Sequence, residues 1–133
     1  MTSRSLGSWD LGSALMTAGT LVGTAVVYPR LPALVPIHFD IHGHVDGVAP
    51  RLVGAWLMPL TMLFLGVFLH VVSRRKPRAE RAPMALVTFI TMALLAAIHF
   101  VMLRTALLGV LDAGLAIGVV LATFCVALGL AMP

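Results

Sequence analysis

Residues 29–51 read PRLPALVPIHFDIHGHVDGVAPR and lie between two long apolar stretches of a 133-residue chain. Three of the first eight residues in this segment are proline, which predicts a stiff, extended approach because proline fixes φ and restricts the residue before it. From Ile37 to Asp46 apolar side chains fall on odd positions and polar ones on even positions, so in an extended strand they face opposite sides. Gly43 or Gly47 offers a place to turn. The segment therefore predicts an extended, Pro-rich loop on one surface.

The composition around this segment is that of a membrane protein. Hydrophobic residues make up 60% of the chain and charged residues 11%, against about 45–50% and about 25% in soluble domains. The mean hydropathy is +1.05. These values exclude an ordinary soluble enzyme, a disordered protein and a DNA-binding domain. The net charge of +4 is interpreted as a topology signal, so the predicted partner is the lipid bilayer and not nucleic acid.

Four stretches approach the length of about 20 apolar residues that a transmembrane helix needs. They are residues 11–28, 52–72, 83–103 and 113–132. A tight hairpin near Gly109 is required between the last two, because one continuous helix would overrun the bilayer. The predicted fold is an all-α integral membrane protein. Residues 1–133 are expected to form a single domain, a four-transmembrane-helix bundle with the outer loop 29–51 between helices 1 and 2.

Basic residues predict the orientation of this bundle. Five of them lie between the second and third predicted spans: Arg74, Arg75, Lys76, Arg78 and Arg81. Positively charged loops stay in the cytoplasm, so both termini are expected to be cytoplasmic and the loop 29–51 extracytoplasmic. An alternative for the first span is a signal peptide, with Arg4 ahead of it and a small-x-small site at 23–25.

Metal-ligating residue types are concentrated in the loop. The candidate ligands are His38, His42, His44 and Asp46, with His99 near the outer end of the third span. Imidazole and carboxylate groups are the usual ligands of zinc and other divalent ions. A divalent metal site at the outer membrane face is therefore one hypothesis. The alternative is a solvated polar edge whose His and Asp side chains make local turn hydrogen bonds, with His99 as a helix–helix hydrogen bonder.

The loop also carries an aperiodic pattern of seven residues: Pro32, Pro36, His38, Phe39, Gly43, Asp46 and Gly47. This pattern resembles the signature of the membrane domain at the amino terminus of SdpI-type immunity proteins of bacteria, a domain otherwise of unknown function. The resemblance continues through a proline in the second span, Pro59, and the basic segment after it. His42 and His44 are not part of the signature. Longer family members continue past the fourth span, so this chain looks like a shortened member.

The resemblance implies a multi-pass protein of the bacterial cytoplasmic (inner) membrane, non-enzymatic, that acts in resistance to a peptide toxin or in envelope sensing. Its implied partner is a peptide toxin or another membrane protein. Two alternatives stay open: a metal-binding protein or metal-dependent enzyme that uses the outer His/Asp loop, and a small subunit of a membrane complex. No HExxH, GxSxG, P-loop or dinucleotide-binding motif occurs. Glycine pairs four residues apart, such as Gly19 and Gly23, permit a homo-oligomer.

Overall fold

The computed structural model describes residues 7–109 and 113–131. This part of the chain is mostly helical, with four α-helices. Three of them, α1 to α3, are long and apolar enough to cross a membrane. The elements in chain order are α1 (Ser8–Val27), a 3₁₀ turn (Tyr28–Arg30), β1 (Leu34–Phe39), β2 (Val45–Pro50), α2 (Arg51–Arg74), α3 (Arg78–Leu108) and α4 (Ala113–Ala131).

Helix α3 is the centre of the bundle. It packs against α1, α2 and α4, and α1 also packs against α2. One buried cluster contains Met62, Met92 and Ala96. A second cluster, near the two strands, contains Leu31, Val35, Ala55 and Leu103. Strand β1 therefore shares a buried cluster with α2 and α3 through Val35.

Helix α1 faces this core with hydroxyl groups and not with large aliphatic side chains. Its buried residues are Ser13, Thr17, Thr20 and Thr24, which recur every three or four positions and so lie on one face. Each hydroxyl donates a hydrogen bond to the backbone carbonyl four residues earlier, over 2.8–3.0 Å. These bonds satisfy polar groups that would otherwise be costly to bury. Small polar side chains thus let α1 approach α3 closely.

The helix bounds agree with the predicted spans to within a few residues for α1 and α2, whereas α3 extends beyond 83–103 at both ends. Helix α3 ends at Leu108 and is followed by Gly109, whereas residues 110–112, which the predicted hairpin would include, lie outside the described residues. This glycine has a φ of 73°, and its N–H donates to the Thr105 carbonyl, a typical glycine termination. Helix α4 matches the predicted fourth span but has a shorter apolar stretch than the other three helices. Arg4 and residue 132 lie outside the described residues.

The described residues are mostly helical, as predicted, but the segment 29–51 is not only a loop, because it contains an antiparallel β-hairpin. Leu34 pairs with Pro50, Val35 with Ala49 and Phe39 with Val45, and the register is irregular between Pro36 and Phe39. The alternating pattern that predicted an extended loop also supplies the two faces of a strand pair. Proline is tolerated here because each strand has an edge without a ladder partner.

Candidate functional site

The candidate site is the hairpin formed by β1, β2 and the turn at residues 40–44, which caps one end of the bundle. This end is called the hairpin end. The opposite end, where α2 passes into α3 at residues 74–78, is called the basic end. The two ends differ in charge and in polar partners, so each is described separately.

The base of the hairpin is packed tightly onto α2. Val35 is fully buried, and a Cβ added at Gly54 would lie only 2.7 Å from the Val35 Cβ. The strand can therefore lie this close to the helix only because residue 54 is glycine. The hairpin is a docked element and not a free loop.

Arg51, the first residue of α2, fastens the start of the hairpin. Its backbone N–H donates to the Ala33 carbonyl at 2.8 Å, and its Nε–H donates to the Pro32 carbonyl at 3.2 Å. Its guanidinium also lies 5.9 Å from the centre of the Tyr28 ring, within cation–π range. Through its backbone and its side chain, Arg51 thus joins the start of α2 to the 3₁₀ turn and to the two residues that precede β1.

The turn of the hairpin is organised by Asp40. Its Oδ1 accepts hydrogen bonds from the backbone N–H groups of His42 and His44, both at 2.8 Å, which is an Asx-type turn. These bonds, led by that from the His44 backbone, hold the pKa of the Asp40 carboxyl below its usual value of 3.8. The turn also contains Gly43 at a φ of 81°. Of the two glycines that the sequence offered as turn positions, the structure therefore uses Gly43 and not Gly47.

The hairpin contains two carboxylate–imidazole pairs. In the turn, His44 Nδ1 lies 3.3 Å from Oδ2 of Asp40, and the second pair joins the two strands. The Nδ1–H of His38 donates to Oδ1 of Asp46 at 2.5 Å. Gly47 pairs with His38 across the sheet, and a Cβ at Gly47 would lie 2.9 Å from the His38 Cβ. The pair forms because glycine leaves room for the histidine beside it. Asp46 and Gly47 both belong to the sequence pattern, and the contact with His38 accounts for the presence of both.

Apolar side chains project from the tip and outer face of the hairpin. Ile41 is 94% exposed and Val48 is 52% exposed. Leu34 and Val45 are exposed as well. An isoleucine at a turn tip with almost its whole surface uncovered contributes nothing to the core.

The five predicted metal ligands do not come together. His38 pairs with Asp46, and His42 and His44 lie at the turn with ring centres 6.2 Å apart. His99 is buried inside the bundle. In the residues that the structure describes, no three His, Cys, Asp or Glu side chains are placed to hold one ion. The polar contact of His99 is on α1, at Thr24.

His99 contacts the hydroxyl face of α1. Its Nε2 and the Thr24 Oγ1 are 2.8 Å apart. The Thr24 hydroxyl already donates to the Thr20 carbonyl, so the Nε2–H of His99 donates to Thr24. The helix–helix interpretation of this histidine is thus the one that the geometry supports.

At the basic end a chain of polar contacts links α1 to α2. His70 Nδ1 lies 3.3 Å from Oδ1 of Asp10, and Arg74 Nε donates to His70 Nε2 over 3.3 Å. Arg81 donates from Nη2 to the Arg74 carbonyl and from Nε to the Lys76 carbonyl. The predicted basic loop is consequently short, since Arg74 ends α2 and Arg78 and Arg81 belong to α3.

The tip of the hairpin also reaches α4. A Cβ added at Gly114 would lie 3.3 Å from the Gly43 Cα and 3.4 Å from the His42 carbonyl carbon. The first turn of α4 and the hairpin turn are therefore in contact backbone to backbone. Gly114 is thus the α4 residue at which this contact is made.

Sequence reasoning missed three features of these sites. The alternative interpretation of the loop included turn hydrogen bonds from its His and Asp side chains but did not single out Asp40, although an Asp two residues before a His-Gly pair is a signal for an Asx turn. The pairing of His70 with Asp10 carries no local signal, since the two residues are far apart in the chain. The spacing of hydroxyl residues in α1, by contrast, was readable as one helix face.

The comparisons with known proteins bear on the amino-terminal half of the molecule. No significant match was found among curated proteins or solved structures. A family model described as a domain of unknown function (DUF1648) matches residues 15–63. The matched segment runs from α1 through the hairpin into the middle of α2 and includes every residue of the aperiodic pattern. The hairpin and the two helices that hold it are accordingly similar to this domain of unknown function.

Proposed function

We propose that the protein is a non-enzymatic, multi-pass bacterial membrane protein that recognises a membrane-active peptide through its hairpin. The resemblance of the loop to the signature of SdpI-type immunity proteins supports a role in resistance to such a peptide. The observation that carries this proposal is the exposure of Ile41 on a hairpin whose base is fixed. Exposed apolar surface held by a rigid support is typical of an interaction site. An amphipathic peptide at the membrane surface offers the complementary apolar face.

The proposed topology has four spans, with both termini in the cytoplasm and the hairpin outside. Two features support it. Arg74, Arg75 and Lys76 gather at the basic end, as the positive-inside rule requires of a cytoplasmic side. Helix α4, with 19 residues, is about 28 Å long at 1.5 Å per residue, close to the roughly 30 Å of a hydrocarbon core.

A survival assay tests the recognition of a peptide. Cells that express the chain are challenged with a panel of membrane-active peptides, and protection against at least one is expected. Ile41→Ser should abolish that protection at unchanged protein level in the membrane. The neighbouring change His42→Ser keeps the apolar tip and should preserve it. The absence of protection against every peptide in the panel would overturn the proposal.

Metal binding at the hairpin is the second candidate, favoured by the 6.2 Å separation of the His42 and His44 rings. Two imidazoles are fewer ligands than the three or four that protein zinc sites use, so a site here needs ligands from a partner molecule. Elemental analysis of the purified protein after dialysis against zinc tests this. Stoichiometric zinc that is lost in His42→Ser would support it, and no retained zinc would refute it.

A further inference from the structure

A cleft of about 300 Å³ separates α1 from α2 in the half of the bundle nearest the basic end. Small residues make the space for it: Ala14 and Ala18 on α1 face Gly66 on α2. Ala14 and Ala18 are exposed, so the cleft opens sideways, where a bilayer would meet it. Its volume is at the lower end of the range for small-molecule sites, and its walls are mainly apolar.

The cleft has the length of one lipid leaflet. Asp10 lines one end and Leu21 the other, eleven positions apart on α1. At 1.5 Å per residue this separation is about 17 Å, and half of a hydrocarbon core of roughly 30 Å is about 15 Å. A single acyl chain that runs parallel to α1 therefore fits from the interface to the bilayer centre.

The end of the cleft at the interface carries the Asp10 carboxylate in its lining, and the Arg74 guanidinium lies next to this end, beyond His70. Asp10 and His70 both line it, and His70 lies between Asp10 and Arg74. Arginine is always a donor, so Nε2 of His70 accepts from Arg74, and the proton of the neutral ring is on Nδ1, which donates to Asp10. The imidazole thus separates a carboxylate from a guanidinium without neutralising either.

We propose that this cleft binds one phospholipid with a primary ammonium headgroup, namely phosphatidylethanolamine. Its acyl chain lies between α1 and α2, its ammonium donates to the Asp10 carboxylate, and its phosphate accepts from Arg74. A choline headgroup has no N–H to donate to Asp10. An anionic glycerol headgroup has no cation for Asp10 and brings a phosphate close to that carboxylate. The charge pattern therefore favours the ethanolamine lipid over both.

Native mass spectrometry of the purified protein in an equimolar mixture of phosphatidylethanolamine, phosphatidylcholine and phosphatidylglycerol tests the headgroup. One ethanolamine lipid per chain should be retained in preference to the other two. Asp10→Asn keeps the size of the side chain and removes the charge, so the preference over the choline lipid should fall roughly tenfold, as expected for the loss of a charged hydrogen bond. Equal retention of the three lipids by the wild type, or a preference for glycerol, would overturn the proposal.

A second pair of variants tests the position of the acyl chain. Ala18→Leu fills the cleft and should abolish retention of the lipid, whereas Ala25→Leu makes the same change at an exposed position on α1 outside it and should have no effect. A phosphatidylethanolamine with a photoreactive acyl chain should label peptides that contain residues 14–21 or 63–67. Labelling confined to other segments, or retention unaffected by Ala18→Leu, would show that the cleft is not the site.

Discussion

At the scale of single residues, the imidazole of His99 is the group whose hydrogen bonding matters most in the bundle. It is completely buried, and within the described part of the chain its Nδ1 has no hydrogen-bond partner. Its one polar contact is Thr24. A polar group inside a membrane bundle has no water with which to form hydrogen bonds, so the hydrogen bond to Thr24 holds the ring in place.

Thr24→Val tests the weight of this contact. The change keeps the shape of the side chain and removes the oxygen, leaving both ring nitrogens of His99 without a partner. We expect the free energy of unfolding to fall by about 1–3 kcal/mol, the cost of a buried unsatisfied polar group. Unfolding in detergent, followed by circular dichroism over a denaturant series, measures it.

Thr123→Val is the matched control, because Thr123 also donates to a carbonyl four residues earlier but is exposed on α4. Its effect should stay within about 0.5 kcal/mol. Equal losses in the two variants would mean that the hydroxyl acts only on its own helix. The double variant Thr24→Val/His99→Leu should lose less than the sum of its single changes, because neither partner is then left unsatisfied.

At the scale of elements, the hairpin is defined by two glycines and one aspartate. Gly54 lets β1 reach α2, Gly43 makes the turn, and Asp40 fixes the turn through backbone N–H groups. The two glycines act through the absence of a side chain, and Asp40 acts through hydrogen bonds to backbone N–H groups. The segment can therefore change its exposed side chains, including Ile41, without losing its shape.

Gly54→Ala is expected to loosen the hairpin from α2. The added methyl would lie 2.7 Å from the Val35 Cβ, and neither atom is the flexible end of a side chain, so the strand must shift. We expect a loss of about 1–3 kcal/mol in the free energy of unfolding, typical of overpacking. The same denaturant series measures it.

Gly118→Ala in α4 is the control for Gly54→Ala, and we expect it to cause no loss of stability. No atom lies within 4 Å of the added Cβ, and alanine favours the helix over glycine by about 0.5–1 kcal/mol. This variant should be neutral or more stable than the wild type. A Gly54→Ala protein as stable as the wild type would contradict the close approach of the strand.

The turn should depend on pH through Asp40. Because the folded pKa lies below 3.8, the carboxylate contributes stability to the turn above the unfolded pKa, and this contribution is lost as the pH falls through the folded pKa. The amide proton shifts of His42 and His44 should therefore move towards unstructured values only in the acid range below the usual carboxyl pKa. Solution NMR in detergent measures them.

Asp40→Asn separates charge from geometry in this experiment. The amide oxygen can still accept from the two backbone N–H groups but does not titrate in this range. The two amide shifts should then be independent of pH over the same range. Titration that persists unchanged in Asp40→Asn would assign the effect to another group.

The sequence predicted the extended chain and the turn of the hairpin but not the pairing of its strands. The period-2 alternation and Gly43 predicted extended chain with a turn, which β1, β2 and the 40–44 turn confirm. The segment was nevertheless predicted as a loop, because a strand needs a partner and alternation alone does not identify one. The turn at residues 40–44 places His42 and His44 outside the strands that carry His38 and Asp46, which alternation along one extended segment did not predict.

At the scale of the whole molecule, three long apolar helices and a docked hairpin produce two unlike ends. One end exposes Ile41 and two carboxylate–imidazole pairs, and the other gathers arginine side chains around the start of α3. Composition predicted the apolar helices because 60% apolar residues exceed what a soluble domain of this size uses. The position of His99 against α1 was not predictable, since it depends on which faces of α1 and α3 meet.

The proposed topology, with the hairpin outside the cell and the basic end in the cytoplasm, predicts how introduced cysteines react. The chain has one cysteine, Cys125, so Cys125→Ala gives a background without thiols. In intact cells a membrane-impermeant maleimide should label Ile41→Cys and should label Lys76→Cys only after the membrane is permeabilised. Residues at opposite ends of a spanning bundle are on opposite sides of the bilayer. Labelling of both positions in intact cells would contradict this arrangement.

The contact between Gly43 and Gly114 has a mechanical consequence. Backbone touches backbone there, so no flexible side chain lies between the two elements to absorb a displacement. Helix α4 packs mainly on α3 and is held by fewer neighbours than α1, α2 or α3. We therefore expect a displacement of the hairpin tip, such as one caused by a bound peptide, to move the first turn of α4 with it.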